Sequence, residues 1–177
     1  MKFALAVGLA GSLLATMAFA QAWTPLDPSQ AWINIASQAG WRVESVDVRP
    51  SGENEFQRIR ARVGDDRVTF VVERSPTTIG IAEDDILIAQ GSQGAMNKLF
   101  PMSGGETSGY RRFTGSDVVG ASVDFDGGRC RGSLIGLKAN SPPTTFGFVV
   151  TVLACGGRLD EVSAYLPRME AVRPQRR

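Results

Sequence analysis

Hydrophobic and polar residues alternate with period two over long stretches of this chain, the mark of strands with one buried face. The alternation is most consistent over residues 118–155, where three antiparallel strands are predicted. Gly127-Gly128 supplies the first turn, because two-residue hairpin loops take positive φ at both positions and glycine does so without strain. Asp126 then faces Arg129 and Asp124 faces Arg131, two opposite-charge pairs on one face. The other face pairs Phe125 with Cys130, Val123 with Gly132 and Ala121 with Leu134. The second turn, residues 139–145, carries Asn140, Ser141 and Pro142-Pro143. A symmetric hairpin about it sets Leu134 against Thr151, Gly132 against Leu153 and Cys130 against Cys155. The two cysteines of the chain thus meet in a register chosen without reference to them.

A second hairpin is predicted upstream, from residues 56–63 and 67–74. With Asp65-Asp66 as its loop, Val63 pairs with Val68, Ala61 with Phe70 and Ile59 with Val72. The reverse face carries Arg58, Arg60 and Arg62 in a row. A slip of one residue would bury those arginines, so the parity is strongly specified. Residues 41–49 read as a strand whose parity changes between Val43 and Val46, and a bulge near Glu44-Ser45 reconciles the two halves. Pro50-Ser51-Gly52 then turns the chain.

Helical spacing appears in three places. Asp27 is an N-cap with Pro28 at the first helical position and Gln30 placed for a capping box. Trp32, Ile35, Ala36 and Ala39 then mark one apolar face, Gly40 a stop, and Trp32 a core anchor. Residues 83–100 open on Glu83-Asp84-Asp85, suited to the positive end of a helix. Gly91 and Gly94 weaken that helix, so a strand over residues 86–89 followed by a helix is the alternative. Residues 102–109 are a polar, Gly-rich loop, and 109–113 a strand. The last helix has Asp160 and Glu161 in its first turn, Leu159, Val162, Leu166 and Met169 on its apolar face, and Pro167 as a kink or stop.

The order is α-βββ-α-ββββ-α. Hairpins dominate, which predicts an α+β fold with a mostly antiparallel sheet of six to seven strands covered by helices. This element order, over most of the mature chain, resembles that of the PsbP/Mog1-like α/β/α sandwich domains. The resemblance contains no residue motif and assigns no functional residue. It implies binding and accessory roles.

The first 20 residues stand apart. Lys2, an apolar run over residues 3–17 and Ala18-Phe19-Ala20 have the form of a secretory signal peptide, cleaved after Ala20 or after Ala22. The run is shorter than the ~20 apolar residues of a membrane span. That leaves a single globular domain over residues 23–171 and a disordered basic tail over 172–177. Export, to the periplasm or beyond the cell, places Cys130 and Cys155 where a disulfide closes and persists. With Lys2 removed, the 19 basic residues fall level with the 18 acidic ones. A balanced chain has no general pull toward nucleic acid or membrane, and no stable membrane insertion is expected after cleavage.

Histidine is absent from the whole chain. Ser-His-Asp and Cys-His hydrolysis and His-ligated metal sites are thereby excluded. No P-loop, G-x-S-x-G or G-x-G-x-x-G occurs, and no cofactor is expected. Glu83-Asp84-Asp85 and Asp124-x-Asp126-Gly127 do not place ligands as a calcium loop does, and the latter acids already face arginines, so no metal site is expected. Arg58, Arg60 and Arg62 form the candidate anion- or partner-binding stripe, with solvated charge on a strand face as its plain alternative. Tyr110 with Arg111-Arg112 is a weaker version, since strand neighbours point to opposite faces. Gly132 and Gly136 flank Leu134 on the cysteine face and mark a close approach, by a helix such as the last one or by a ligand. The expected function is a non-catalytic exported domain that binds or assists an envelope protein or a small anionic ligand. The alternative is a carboxylate-based hydrolase working without histidine, metal or cofactor.

Overall fold

The computed structural model of the protein describes residues 22–52, 54–74, 81–82, 107–138 and 145–172. Its strands are β1 (Thr24–Leu26), β2 (Trp41–Ser51), β3 (Asn54–Val63), β4 (Asp66–Arg74), β5 (Ile81–Ala82), β6 (Ser108–Thr114), β7 (Val118–Phe125), β8 (Cys130–Leu137), β9 (Thr145–Phe146) and β10 (Phe148–Cys155). Eight of them form one antiparallel sheet in the order β1-β2-β3-β4-β10-β8-β7-β6, while β5 and β9 pair separately. The eighth strand is β1. Its residues pair with β2, Thr24 with Val48 and Leu26 with Val46.

The 118–155 registers are those expected. Asp124 pairs with Arg131, Phe125 with Cys130 and Ala121 with Leu134. Leu134 pairs with Thr151, Gly132 with Leu153 and Cys130 with Cys155. The first turn is wider than two residues. Asp126 joins Gly127 and Gly128 in positive φ, at 53°, 64° and 85°. The ion pair of Asp126 with Arg129, 2.9 Å, therefore lies inside the turn. The bulge in β2 falls between Val43 and Ser45, as its parity change requires.

The upstream hairpin turns elsewhere than expected. Val63 pairs with Asp66, Ala61 with Val68 and Ile59 with Phe70, so the loop is Gly64-Asp65 and the register moves by two residues. Gly64 has φ 59°. A two-residue loop of this kind wants glycine at its first position, which Asp65 cannot match. A shift of two preserves parity, so Arg58, Arg60 and Arg62 stay off the core.

The main core lies on one face of the sheet. Ile59, Phe70, Val72, Ile135, Val150 and Val152 are buried there against Ile33, Ile35, Val162, Tyr165, Leu166 and Met169. The last helix forms as predicted, as α1 (Leu159–Tyr165) with a 3₁₀ turn (Leu166–Arg168) containing Pro167. It is the one α-helix among the described residues, so the fold is mainly β rather than α+β with several helices.

The predicted first helix is not an α-helix. Its start is as read: Asp27 caps, Pro28 follows, and Gln30 completes the capping box. The chain then breaks into two 3₁₀ turns, Pro28–Gln30 and Asn34–Ser37. Ala31, Trp32, Ile33 and Ile35 are buried, whereas Ala36 and Ala39 are exposed. The cause is Gln57, fully buried on β3. Its side chain accepts from the Trp32 amide at 2.7 Å and donates to the Gln30 carbonyl at 3.0 Å. Two backbone groups that a helix would use are taken by the sheet. Trp32 is the expected core anchor, with its ring 6.1 Å from that of Phe148.

Residues 1–20, 83–100, 139–144 and 173–177, with the leader, the second helix, and all but the last residue of the second turn and the first of the tail expected there, lie outside the described residues; Thr145 begins β9, and the Val172 amide donates to the Trp32 carbonyl at 2.8 Å. No described helix is long and apolar enough to cross a membrane.

Candidate functional site

Alternation along β3 decides the site. Ile59, Ala61 and Val63 enter the core, so Arg58, Arg60 and Arg62 project from the opposite face. Their neighbours come from β2. Asp47 pairs with Arg58 in register and receives its Nε at 3.1 Å and its Nη2 at 3.0 Å. The Nη1 of Arg60 reaches the same carboxylate at 3.3 Å and the Ser45 hydroxyl at 3.2 Å. Arg62 bonds Glu44. The stripe is therefore partly neutralised, and Arg58 is partly structural: Asp47 is only 8% exposed.

The bulge in β2 and the register of β4 bring in two arginines that the stripe alone does not reveal. Arg42 stands directly opposite Arg62, and Arg62 directly opposite Arg67. Three arginines thus occupy one cross-strand row on β2, β3 and β4, whose strands lie ~4.8 Å apart. Glu44 is the carboxylate they share. Arg62, bonded to it, holds Glu44 below the usual carboxylate range, with the charges of Arg42 and Arg67 acting the same way. The row continues to Cys155, opposite Arg67 on β10. Beside it, Leu153 is 37% exposed.

At the other end of this face lies an aromatic cluster that the sequence reading missed. The Arg58 guanidinium sits 4.5 Å from the ring centre of Trp23, and that of Arg49 4.9 Å from the same ring. Phe56, opposite Arg49 on β3, is 5.6 Å from the Arg49 guanidinium. The signal was the pairing of β1, which places Trp23 next to Arg49.

The remaining candidates divide between structure and site. Cys130 and Cys155 form the disulfide, with Cα atoms 4.1 Å apart. Asp124, expected simply to face Arg131, is buried with it. Arg131 donates to Asp124 at 2.6 and 3.3 Å, to the Leu159 carbonyl at 3.2 Å and to the Ser163 hydroxyl. This pair fastens α1 to the sheet. Arg111 adds an ion pair to Asp124 at 3.1 Å, whereas Arg112 points to the other face and is exposed. Gly132 and Gly136 are buried, but the last helix does not pack on them. It lies with Ile135 and Leu137, whereas Gly132 and Gly136 share the face of Ala121, Val123 and Leu134. No cluster of three metal-ligating side chains occurs among the described residues.

No protein-family model, curated protein or solved structure matches this chain.

Proposed function

We propose that the chain is a non-catalytic binding domain, exported to the periplasm or beyond, that engages an anionic envelope component through its arginine face. The observation that carries this reading is the row of Arg42, Arg62 and Arg67 with one carboxylate among them. Like charges directly opposite in a sheet cost stability, and a bound anion removes that cost. The leader pattern of residues 1–20 and a closed disulfide support an oxidising destination. The principal carboxylates of this face serve as counterions, Asp47 to Arg58 and Arg60 and Glu44 to Arg62, which gives the hydrolase alternative little to work with.

The test is co-sedimentation of the mature protein with an isolated envelope fraction across a salt series. Binding is expected to weaken steeply with salt, because exposed charges are screened beyond ~10 Å at 0.1 M. The variant Arg42→Gln/Arg62→Gln/Arg67→Gln should lose binding and keep or slightly raise its melting temperature. Arg58 is left in place, because removing it would strand Asp47. Undiminished binding by the triple variant returns the face to plain solvated charge.

A further inference from the structure

One arginine of this face combines the lack of a counterion among the described residues with a buried, unpaired donor. Arg49 is half-buried, and its guanidinium lies against Trp23 at 4.9 Å and Phe56 at 5.6 Å. Its Nε is shut off from solvent and donates to no group among the described residues. No carboxylate among the described residues pairs with it. Asp47 is occupied by Arg58 and Arg60, and a Glu73 oxygen accepts from the Asn54 amide at 2.8 Å. Buried donors in folded proteins are almost always satisfied, so an exception calls for an explanation.

The ring contacts account for part of it. Aromatic faces attract a cation and hold it in place. They offer the N–H groups no lone pair, and with Nε sealed it is the Nη edge of the guanidinium that is left to take a carboxylate or phosphate in a fork. Arg58, whose guanidinium lies 4.5 Å from the same indole, adds a second positive charge beside the first. Two guanidinium groups thus share one indole, and only Arg58 has an acid. Bracing by rings also removes much of the side-chain freedom that an exposed arginine would lose on binding.

We propose that Arg49, held by Trp23 and Phe56 with Arg58 beside it, is a seat for one oxyanion, a carboxylate or phosphate group of the bound component. It rests on the reading of this face as an anion-binding surface, but on residues outside the Arg42, Arg62, Arg67 row, so either can fail alone.

The test is a titration of the mature, disulfide-intact protein with inorganic phosphate and with acetate at constant ionic strength, followed by NMR of the arginine Nε–H groups. The Arg49 Nε–H resonance should shift and saturate in the millimolar range, while that of Arg112, exposed on β6, stays put. Tighter binding of phosphate assigns the seat to a phosphate-bearing component, and tighter binding of acetate to a carboxylate-bearing one. Arg49→Lys keeps the charge without the fork and should weaken binding at least tenfold, and Trp23→Leu several-fold. Absence of a saturable Arg49 shift in the native protein overturns the proposal whatever the variants do. So does unchanged affinity in a folded Arg49→Gln protein.

Discussion

Replacing Arg131 by methionine would test the attachment of α1 to the sheet. Arg131 side-chain exposure is 7% and that of Asp124 is 11%. The substitution removes both contacts to Asp124, together with those to the Leu159 carbonyl and the Ser163 hydroxyl. Breaking one side of a buried ion pair costs about 3–5 kcal/mol, mostly because the remaining charge stays buried. Arg111 remains near Asp124 at 3.1 Å, but its side chain is 53% exposed and screened by water. Its help places the expected loss near the lower end, about 3 kcal/mol. A domain of ordinary stability, about 5–15 kcal/mol, survives that loss and remains measurable. The double variant Asp124→Ala/Arg131→Met strands no charge, so its cost should fall well short of the sum of the single costs. Equilibrium urea unfolding by circular dichroism, with the disulfide intact, reads these differences as midpoint shifts at constant slope. A loss below about 1 kcal/mol for Arg131→Met, or strict additivity in the double variant, would refute the reasoning.

Two other outcomes follow from the fold. Denatured, non-reduced protein should show no titratable thiol, and Cys130→Ser/Cys155→Ser should lose up to about 3.5 kcal/mol by loop entropy while keeping its circular dichroism spectrum; two free thiols in protein from an oxidising compartment would contradict the pairing. Burial, and secondarily the Glu170 carboxylate, push the Tyr165 hydroxyl well above its ordinary value. A tyrosine raised in the folded state is neutral in both states below the unfolded value of ~10, and above it only the unfolded chain ionises. Stability should therefore be unaffected by Tyr165 below pH ~10 and fall by up to about 1.4 kcal/mol per pH unit above it. Tyr165→Phe should flatten that alkaline slope, and an unchanged slope would assign it to another group.

The sheet was legible because its rules are local. The 118–155 registers follow from two turns and from alternation, and each is confirmed residue by residue. The 56–74 hairpin shows the limit of that logic. Parity was specified by burial, but moving the turn by one residue shifts the register by two and preserves parity, and the positive φ that Gly64 adopts decided between the two turns. The first helix failed for a different reason. Asp27, Pro28 and Gln30 carry a correct start signal, and they do form a capped turn. What ends it is a glutamine 27 residues away from Gln30, whose side chain satisfies the backbone from the sheet. Local propensity contains no term for such a clamp, and a polar residue at a strand position of core parity was the available hint.

The site divides along the same line. That Arg58, Arg60 and Arg62 share an outward face is a matter of parity and was readable. Which arginines are available to a partner is not, because their acids come from β2, whose register passes through a bulge. That bulge gives Asp47 to Arg58 and Arg60 and sets Arg42 against Arg62. A basic stripe therefore mixes two kinds of arginine. Arg58 holds a nearly buried aspartate and is tied to stability. Arg42 and Arg67 stand in a row of like charges, and Arg49 is braced by rings with a sealed, unmatched donor. Arg42 already shares Glu44 with Arg62, at 3.5 Å, whereas Arg67 and Arg49 have no ion pair among the described residues. The discriminating residue at the far end is Trp23, on the approach to a strand three residues long. Alternation cannot register over three residues, so the part of the face best built to hold an anion was the part least visible in the pattern.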